Sequence, residues 1–328
     1  MHMSTKPLSA DSSPAAEGAR ARSRLPRRFG AALLLVWFLF GGLFLVLRWV
    51  VVPQVGAYRA EIANELSRVS GLPVGIEGLS ADWSGLRPRL HLAGLSVSDA
   101  EGRPALRLEQ VDATLAWSSL LRLRPYFHRL EIVGPSIEAR RNADGSVVIA
   151  GLQIEGEGGD GSFLDWLLAQ RKVVVRNARL SWTDVLREAP ELQLEDVEFT
   201  FEKGFSKQRF ALHAQPPGAL ASALDVRGEL THFSAADLTA TVGRLYVDLE
   251  RADLGGWKSW VDYPVELSGQ GGVRLWIDFD GAAATAMNAD VALSAAAMRL
   301  APALPELQLT QLSGRLSARR WGSGFEFE

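Results

Sequence analysis

From Phe29 to Val52 the chain reads FGAALLLVWFLFGGLFLVLRWVVV, and its first nineteen residues, Phe29 to Leu47, carry no charge. As a helix rising ~1.5 Å per residue, the stretch is about 36 Å long. That exceeds a bilayer core of about 30 Å and leaves room for tilt. The pattern predicts a transmembrane helix over residues 29–52. A cleavable secretory signal is the alternative, with an apolar core of about 7–15 residues and small residues at the cut. Val55 and Ala57 make a weak cleavage site, and cutting there severs the next element, so an uncleaved anchor is preferred. Beyond Pro53, the residues Val55, Tyr58, Ile62, Leu66 and Val69 recur at steps of 3, 4, 4 and 3. This is one apolar face of an amphipathic helix over residues 53–71, closed by Gly71 and Pro73. Such a helix either lies on the membrane or caps the end of a sheet.

From Val74 onward the apolar period is two, in short runs rich in Leu, Val, Trp and Phe: about fourteen or more strands. Turns are expected at Asp99–Pro104, Asn142–Gly145 and Asp278–Gly281, and the glycine run Glu155–Gly161 reads as a loop. Two short helices interrupt the strands. One starts at Ser162, with Asp165 as a capping-box partner, and carries Phe163, Trp166 and Leu167. The other runs from Leu254 to Asp262 with Trp257 and Trp260.

Within the strands one motif recurs: apolar alternation, a slip of phase, then alternation again. It occurs at Leu90, Leu92 then Leu95, Val97, and at Leu106, Leu108 then Val111, Ala113, Leu115. Further copies are Leu130, Ile132 then Pro135, Ile137, and Val173, Val175 then Ala178, Leu180, Trp182. The last two are Leu192, Leu194 then Val197, Phe199, Phe201, and Leu307, Leu309 then Leu312, Gly314, Leu316. Side chains of a strand alternate faces strictly, so keeping one face apolar across a three-residue step needs an extra residue, a β-bulge. Regular bulges curl a sheet into a gutter. An antiparallel sandwich with an ordinary core is the alternative. The sequence stops in mid-alternation at Gly324–Glu328, so residues 72–328 read as the first part of a longer sheet.

Charge adds orientation. Residues 1–28 hold Lys6 and five arginines against Asp11 and Glu17, a balance of +4, and the formal net charge of −3 then leaves −7 for the rest. Basic residues before the span place the N-terminus in the cytoplasm and the bulk on the far side. The first 28 residues, rich in Ser, Ala, Pro and Arg, read as a disordered tail. An acidic exported part argues against nucleic acid as a partner. The chain has no cysteine, which excludes disulfides and thiolate metal sites. Enzyme machinery is not found. The five histidines, His2, His91, His128, His213 and His232, lack ligand spacing, and neither a GxxxxGKS loop nor a GxSxG elbow occurs. Asp278 and Asp280 lack the later ligands of a calcium loop, and Asp82, Asp184 and Asp248 fall on separate strands. The ten tryptophans follow apolar positions and read as core or interface.

Behind the anchor, three stretches resemble a known family: ANELSRVSGLPVGIEGLSADWSGLRPRLHLAGLSVSD (Ala63 to Asp99), LRLEQVDATLAWSSLLRLRPYFHRLEIVGPSIEARRNADGSVVIAGL (Leu106 to Leu152) and FLDWLLAQRKVVVRNARLSWTD (Phe163 to Asp184). They are similar to the AsmA-like proteins of Gram-negative envelopes, in particular the large YhdP-type members. The resemblance runs in order from about residue 28 to 328, and such proteins are several times longer. It implies a mainly β fold: a single-pass inner-membrane helix, then a curved, elongated antiparallel sheet of the taco or gutter kind, as in bridge-like lipid-transfer proteins, with a few short helices. The implied function is a periplasmic conduit that moves phospholipid between inner and outer membrane, with no catalysis, cofactor or metal. In that reading Val55, Tyr58, Ile62, Leu66 and Val69 stand where lipid enters. Leu106, Leu108, Val111, Leu115, Leu192, Leu194, Val197 and Phe199 line the groove. The competing reading is a structural or assembly factor that holds other envelope or outer-membrane proteins through its sheet edges.

Overall fold

The computed structural model describes residues 25–70, 73–98, 104–122, 126–149, 152–153, 166–231, 233, 240–261, 266–281, 283–299, 305–321 and 324–327. Residues 1–24, most of the expected Asp99–Pro104 turn, the Glu155–Gly161 run, the Ser162 and Asp165 cap and the side chain of Val69 lie outside the described residues. The chain forms two units, residues 1–49 and 50–328. In the first, helix α1 (Leu25–Val46) is 22 residues long. Its start lies ahead of Phe29 because Pro26 is tolerated in a first turn. Leu33, Trp37 and Phe38 are each more than two-thirds exposed. This is one helix long and apolar enough to cross a membrane.

In the second unit the expected helix over 53–71 is two pieces, a 3-10 helix (Val52–Tyr58) and α2 (Arg59–Ser70). A 3-10 helix eclipses residues three apart, and Val52 and Val55 are both buried there. Tyr58, at the junction, is 50% exposed and so leaves the face on which Ile62 and Leu66 pack. Arg59 Nη1 donates to the Glu77 carbonyl (2.8 Å) and Val74 N donates to Ser67 Oγ (2.8 Å), which ties α2 to the first strand.

The strands are β1 (Val74–Ser84), β2 (Arg87–Ser98), β3 (Pro104–Leu115), β4 (Phe127–Val133), β5 (Ser136–Arg141), β6 (Val147–Ile149), β7 (Leu152–Gln153), β8 (Lys172–Asp184), β9 (Leu192–Lys203), β10 (Gln208–Gln215), β11 (Ala223–Thr231), β12 (Val242–Asp253), β13 (Glu266–Asp280), β14 (Ala283–Arg299), β15 (Leu307–Trp321) and β16 (Gly324–Phe327). Among the described residues three short helices accompany the strands: α3 (Trp117–Arg122), α4 (166–169) and α5 (Leu254–Trp257). All strands belong to one curved, open sheet in sequence order, except that β5, β6 and β7 branch from it. Neighbours are antiparallel with one seam: β4 and β5 both run parallel to β8, in a common offset (Leu130 opposite Val173, Ser136 opposite Arg179). A parallel return needs a crossover, and the segment through β6, β7 and α4 supplies it.

The phase slips form a line across the sheet. Leu92 and Leu95 of β2 stand opposite Val111 and Leu108 of β3, and opposite Leu79 and Ile76 of β1, so three strands change phase together. The backbone turns left-handed at Gly94, Gly134, Asn177, Asp196, Arg251 and Ala295, and register shifts appear beside several of them. Gly134 separates β4 from β5 and donates its N–H to Arg176 O (2.9 Å), beside Asn177. Its φ of 69° is open to glycine without steric cost. Ala178, Ala214, Ala221, Ala252 and Ala296, all buried, lie along this crease, where strands that bend together leave no room for larger side chains.

Candidate functional site

The pairing registers place one residue from each of twelve strands in a single row perpendicular to them. The row is Leu79, Leu92, Val111, Ile132, Val175, Phe199, Leu212, Val226, Val247, Leu275, Ala289 and Leu316, each directly opposite the next. At ~4.8 Å between strands the row is about 50 Å long. Every member is apolar. The row one residue away, on the other face, includes His91, Asp112, Glu131, Thr200, Arg227, Tyr246 and Asn288. One face is therefore a continuous apolar strip and the other carries most of the charge.

The apolar face is covered unevenly. At its β1–β4 end, Ile62, Ala63 and Leu66 of α2 and Trp166 and Leu167 of α4 pack on Ile76, Leu92, Leu95, Leu108, Val111, Phe127 and Leu130. Trp166 meets Phe127 edge to face at 6.0 Å. From β8 to β14, along the crease, α5 lays Leu254 and Trp257 on Val197, Ala221, Ala252 and Leu293. Asp253 caps α5 through the amides of Gly255 and Gly256. Trp257 Nε1 donates to Leu220 O (3.0 Å) and Trp260 Nε1 to Pro190 O (3.1 Å), so this strap is fixed at both tryptophans. What stays uncovered is the part of the strip between the crease and the strand ends from β11 to β15. Val226, Leu245, Val247, Leu275, Ile277 and Phe279 are half-buried there and belong to neither packed cluster, and Leu316 is 55% exposed.

The eight groove positions expected from sequence all lie on the apolar face but in its packed part. Leu108, Val111, Leu192, Leu194 and Val197 are each at most 7% exposed, while Leu106, Leu115 and Phe199 are half-buried against the same clusters. Leu106, Leu108, Val111 and Leu115 join one cluster and Leu192, Leu194, Val197 and Phe199 the other; Ile132 touches both. Of the uncovered positions only Leu316 falls within a sequence copy of the slip; Val226, Leu245, Val247, Leu275, Ile277 and Phe279 stand in stretches of plain alternation, which carry no special signal. Val55 is buried at the 3-10 helix, Ile62 and Leu66 face the β1 end, and Tyr58 points away.

On the polar face, carboxylates and cations pair across strands. Arg89 meets Asp82, Arg244 meets Asp278 and Arg315 meets Asp290, each through two hydrogen bonds. Lys172 meets Glu202, and Lys207 and Arg209 share Glu229. In each case the cation holds its carboxyl below the ordinary range. His91 lies between Asp112 and Asp82, and Asp248 takes Tyr246 and Arg274. Asp184 is the buried exception: Arg141, on the neighbouring strand, and the amide of Arg187 satisfy it at the far end of β8. The three aspartates that the sequence scatters thus have three separate structural partners. These pairs tie neighbouring strands together across the polar face.

No curated protein and no solved structure matches the chain. The family model described as YhdP protein matches residues 18–328, and the chain is therefore a member of the YhdP family.

Proposed function

We propose that the uncovered apolar strip carries the acyl tails of phospholipids while their headgroups remain in water, and that the protein works as a conduit between inner and outer membrane. The observation that supports this most directly is the unbroken row of twelve apolar residues, packed at the α2 end and open from β11 to β15. Exposing acyl chain to water costs about 0.8 kcal/mol per CH₂, so a two-chain lipid faces a barrier of order 20 kcal/mol. A strip of Leu, Val, Ile and Phe removes most of that without making or breaking a bond. In this reading α1 anchors the chain in the inner membrane with its N-terminus in the cytoplasm and the sheet in the periplasm. The protein needs no cofactor, and its partners are phospholipid and the inner membrane.

Photoreactive residues placed at Val247 and Leu275 in living cells test the proposal against Asp248 and Arg274, their neighbours on the other face. Phospholipid adducts are expected at the first pair only. Adducts to protein in place of lipid at all four positions would overturn the conduit in favour of an assembly factor that grips other envelope proteins.

A further inference from the structure

At one end of the strands the apolar face is crowned by charge. Lys172 stands opposite Glu202 and Val173 opposite Phe201, and Lys203 N donates to Arg171 O (2.9 Å), so Arg171 and Lys203 are direct cross-strand neighbours. Lys203 lies two residues beyond Phe201, on the apolar side of β9, and Arg171 sits in the bend just before β8. Like charges directly opposite one another destabilise a sheet. Neither has a carboxylate partner among the described residues, in contrast to Lys172, Lys207 and Arg209 beside them. Lys203 also stands opposite Gln208, whose Oε1 is buried without a hydrogen bond. A pocket of about 500 Å³ opens here, lined by His128, Arg171, Lys203 and Phe205 and also by the ion-paired Lys172 and Glu202 of the polar face, and Phe205, at the β9–β10 turn, is fully exposed. Burial, then Arg87 and Arg171, push the His128 pKa below its ordinary value, in keeping with a positive local field.

We infer that Arg171 and Lys203 bind the phosphate of a phospholipid whose tails lie on the apolar strip, with Gln208 Oε1 accepting from a hydroxyl or ammonium of the headgroup. This rests on the conduit reading and adds to it a headgroup site at the rim. A phosphate offers oxygens to both cations at once and removes the repulsion between them. Val173 and Phe201 are each 2% exposed, so the tails run from the rim across β10 to the open strip, and one lipid satisfies both the charged crown and the apolar floor.

The test uses the full chain in detergent with a photoreactive residue at Val226, on the strip, and two probes of identical chains: dioleoylphosphatidylglycerol and dioleoylglycerol. The double variant Arg171→Gln/Lys203→Gln is expected to capture the phospholipid about tenfold less, the factor that corresponds to ~1.4 kcal/mol, with capture of the diacylglycerol unchanged. Its melting temperature is expected to be no lower than that of the parent, because a like-charge pair has gone. Equal phospholipid capture by parent and variant overturns the rim site and leaves the conduit standing. Capture of neither probe by the parent overturns the conduit and this site with it. Inorganic phosphate is the third arm: if it displaces the phospholipid at equal concentration, the site is one for free anions and the headgroup assignment fails.

Discussion

Gly271 and Gly272 are adjacent in β13, yet the structure assigns them opposite responses to the same added methyl group. A Cβ built on Gly271 stands 2.0 Å from Ala292 O and 2.9 Å from Leu293 Cα, both backbone atoms of β14, whereas one on Gly272 meets nothing within 4 Å. In the register Gly271 lies between Ala252 and Leu293, at the crease on which Trp257 rests. Gly271→Ala must therefore push two strands apart. Overpacking against immobile atoms costs about 1–3 kcal/mol, and about two ladder hydrogen bonds weakened at ~1 kcal/mol each add to it, for a total near 3–5 kcal/mol. Gly272→Ala is expected to gain about 0.5–1 kcal/mol, because alanine has less freedom to lose on folding. For a sheet unit of this size, ~2–3 °C per kcal/mol puts Gly271→Ala about 6–15 °C below the parent and Gly272→Ala slightly above it. Thermal unfolding of the full chain in detergent, followed by tryptophan fluorescence, reads both. Equal melting temperatures for the two variants would refute the close approach at the crease.

Two further predictions come from the strap and the polar face. Trp257→Ala removes a nearly buried indole and its bond to Leu220 O, a loss of about 3–5 kcal/mol. Trp260→Phe removes only the bond to Pro190 O, a loss of about 1 kcal/mol; chemical denaturation should rank the two in that order. The carboxylates of Asp82, Asp278, Asp290, Glu202 and Glu229 titrate lower in the folded chain than in the unfolded one. The stability they add is therefore present above the ordinary carboxylate range and lost as pH falls through the depressed values. Below about pH 6.5 a shallow decline of the melting temperature is expected, because His128, held below its ordinary value when folded, takes up its proton on unfolding; a steeper decline follows below about pH 4.5, less steep in high salt, since exposed pairs are screened. A melting temperature unchanged between about pH 5 and 3 would contradict this.

Period and phase are properties of neighbouring residues, so the chain alone determined the apolar helix, the strands, the turn at Gly281 and the three-residue slips at Leu92/Leu95, Leu108/Val111, Ile132/Pro135, Val175/Ala178, Leu194/Val197 and Leu309/Leu312. It also determined that these slips keep one face apolar, and the left-handed residues at Gly94, Gly134, Asn177 and Asp196 are how the backbone does so. Which strands stand side by side is a contest among distant segments, and only the tertiary structure decided it. β4 and β5 return in parallel to β8, and twelve apolar residues fall into one row. The same holds for coverage: α2, α4 and α5 shield the residues around the slips and leave the plainly alternating stretches of β11 to β13 open. Arg171 and Lys203 are 32 residues apart in the chain. Their adjacency comes from strand pairing, which no local pattern encodes.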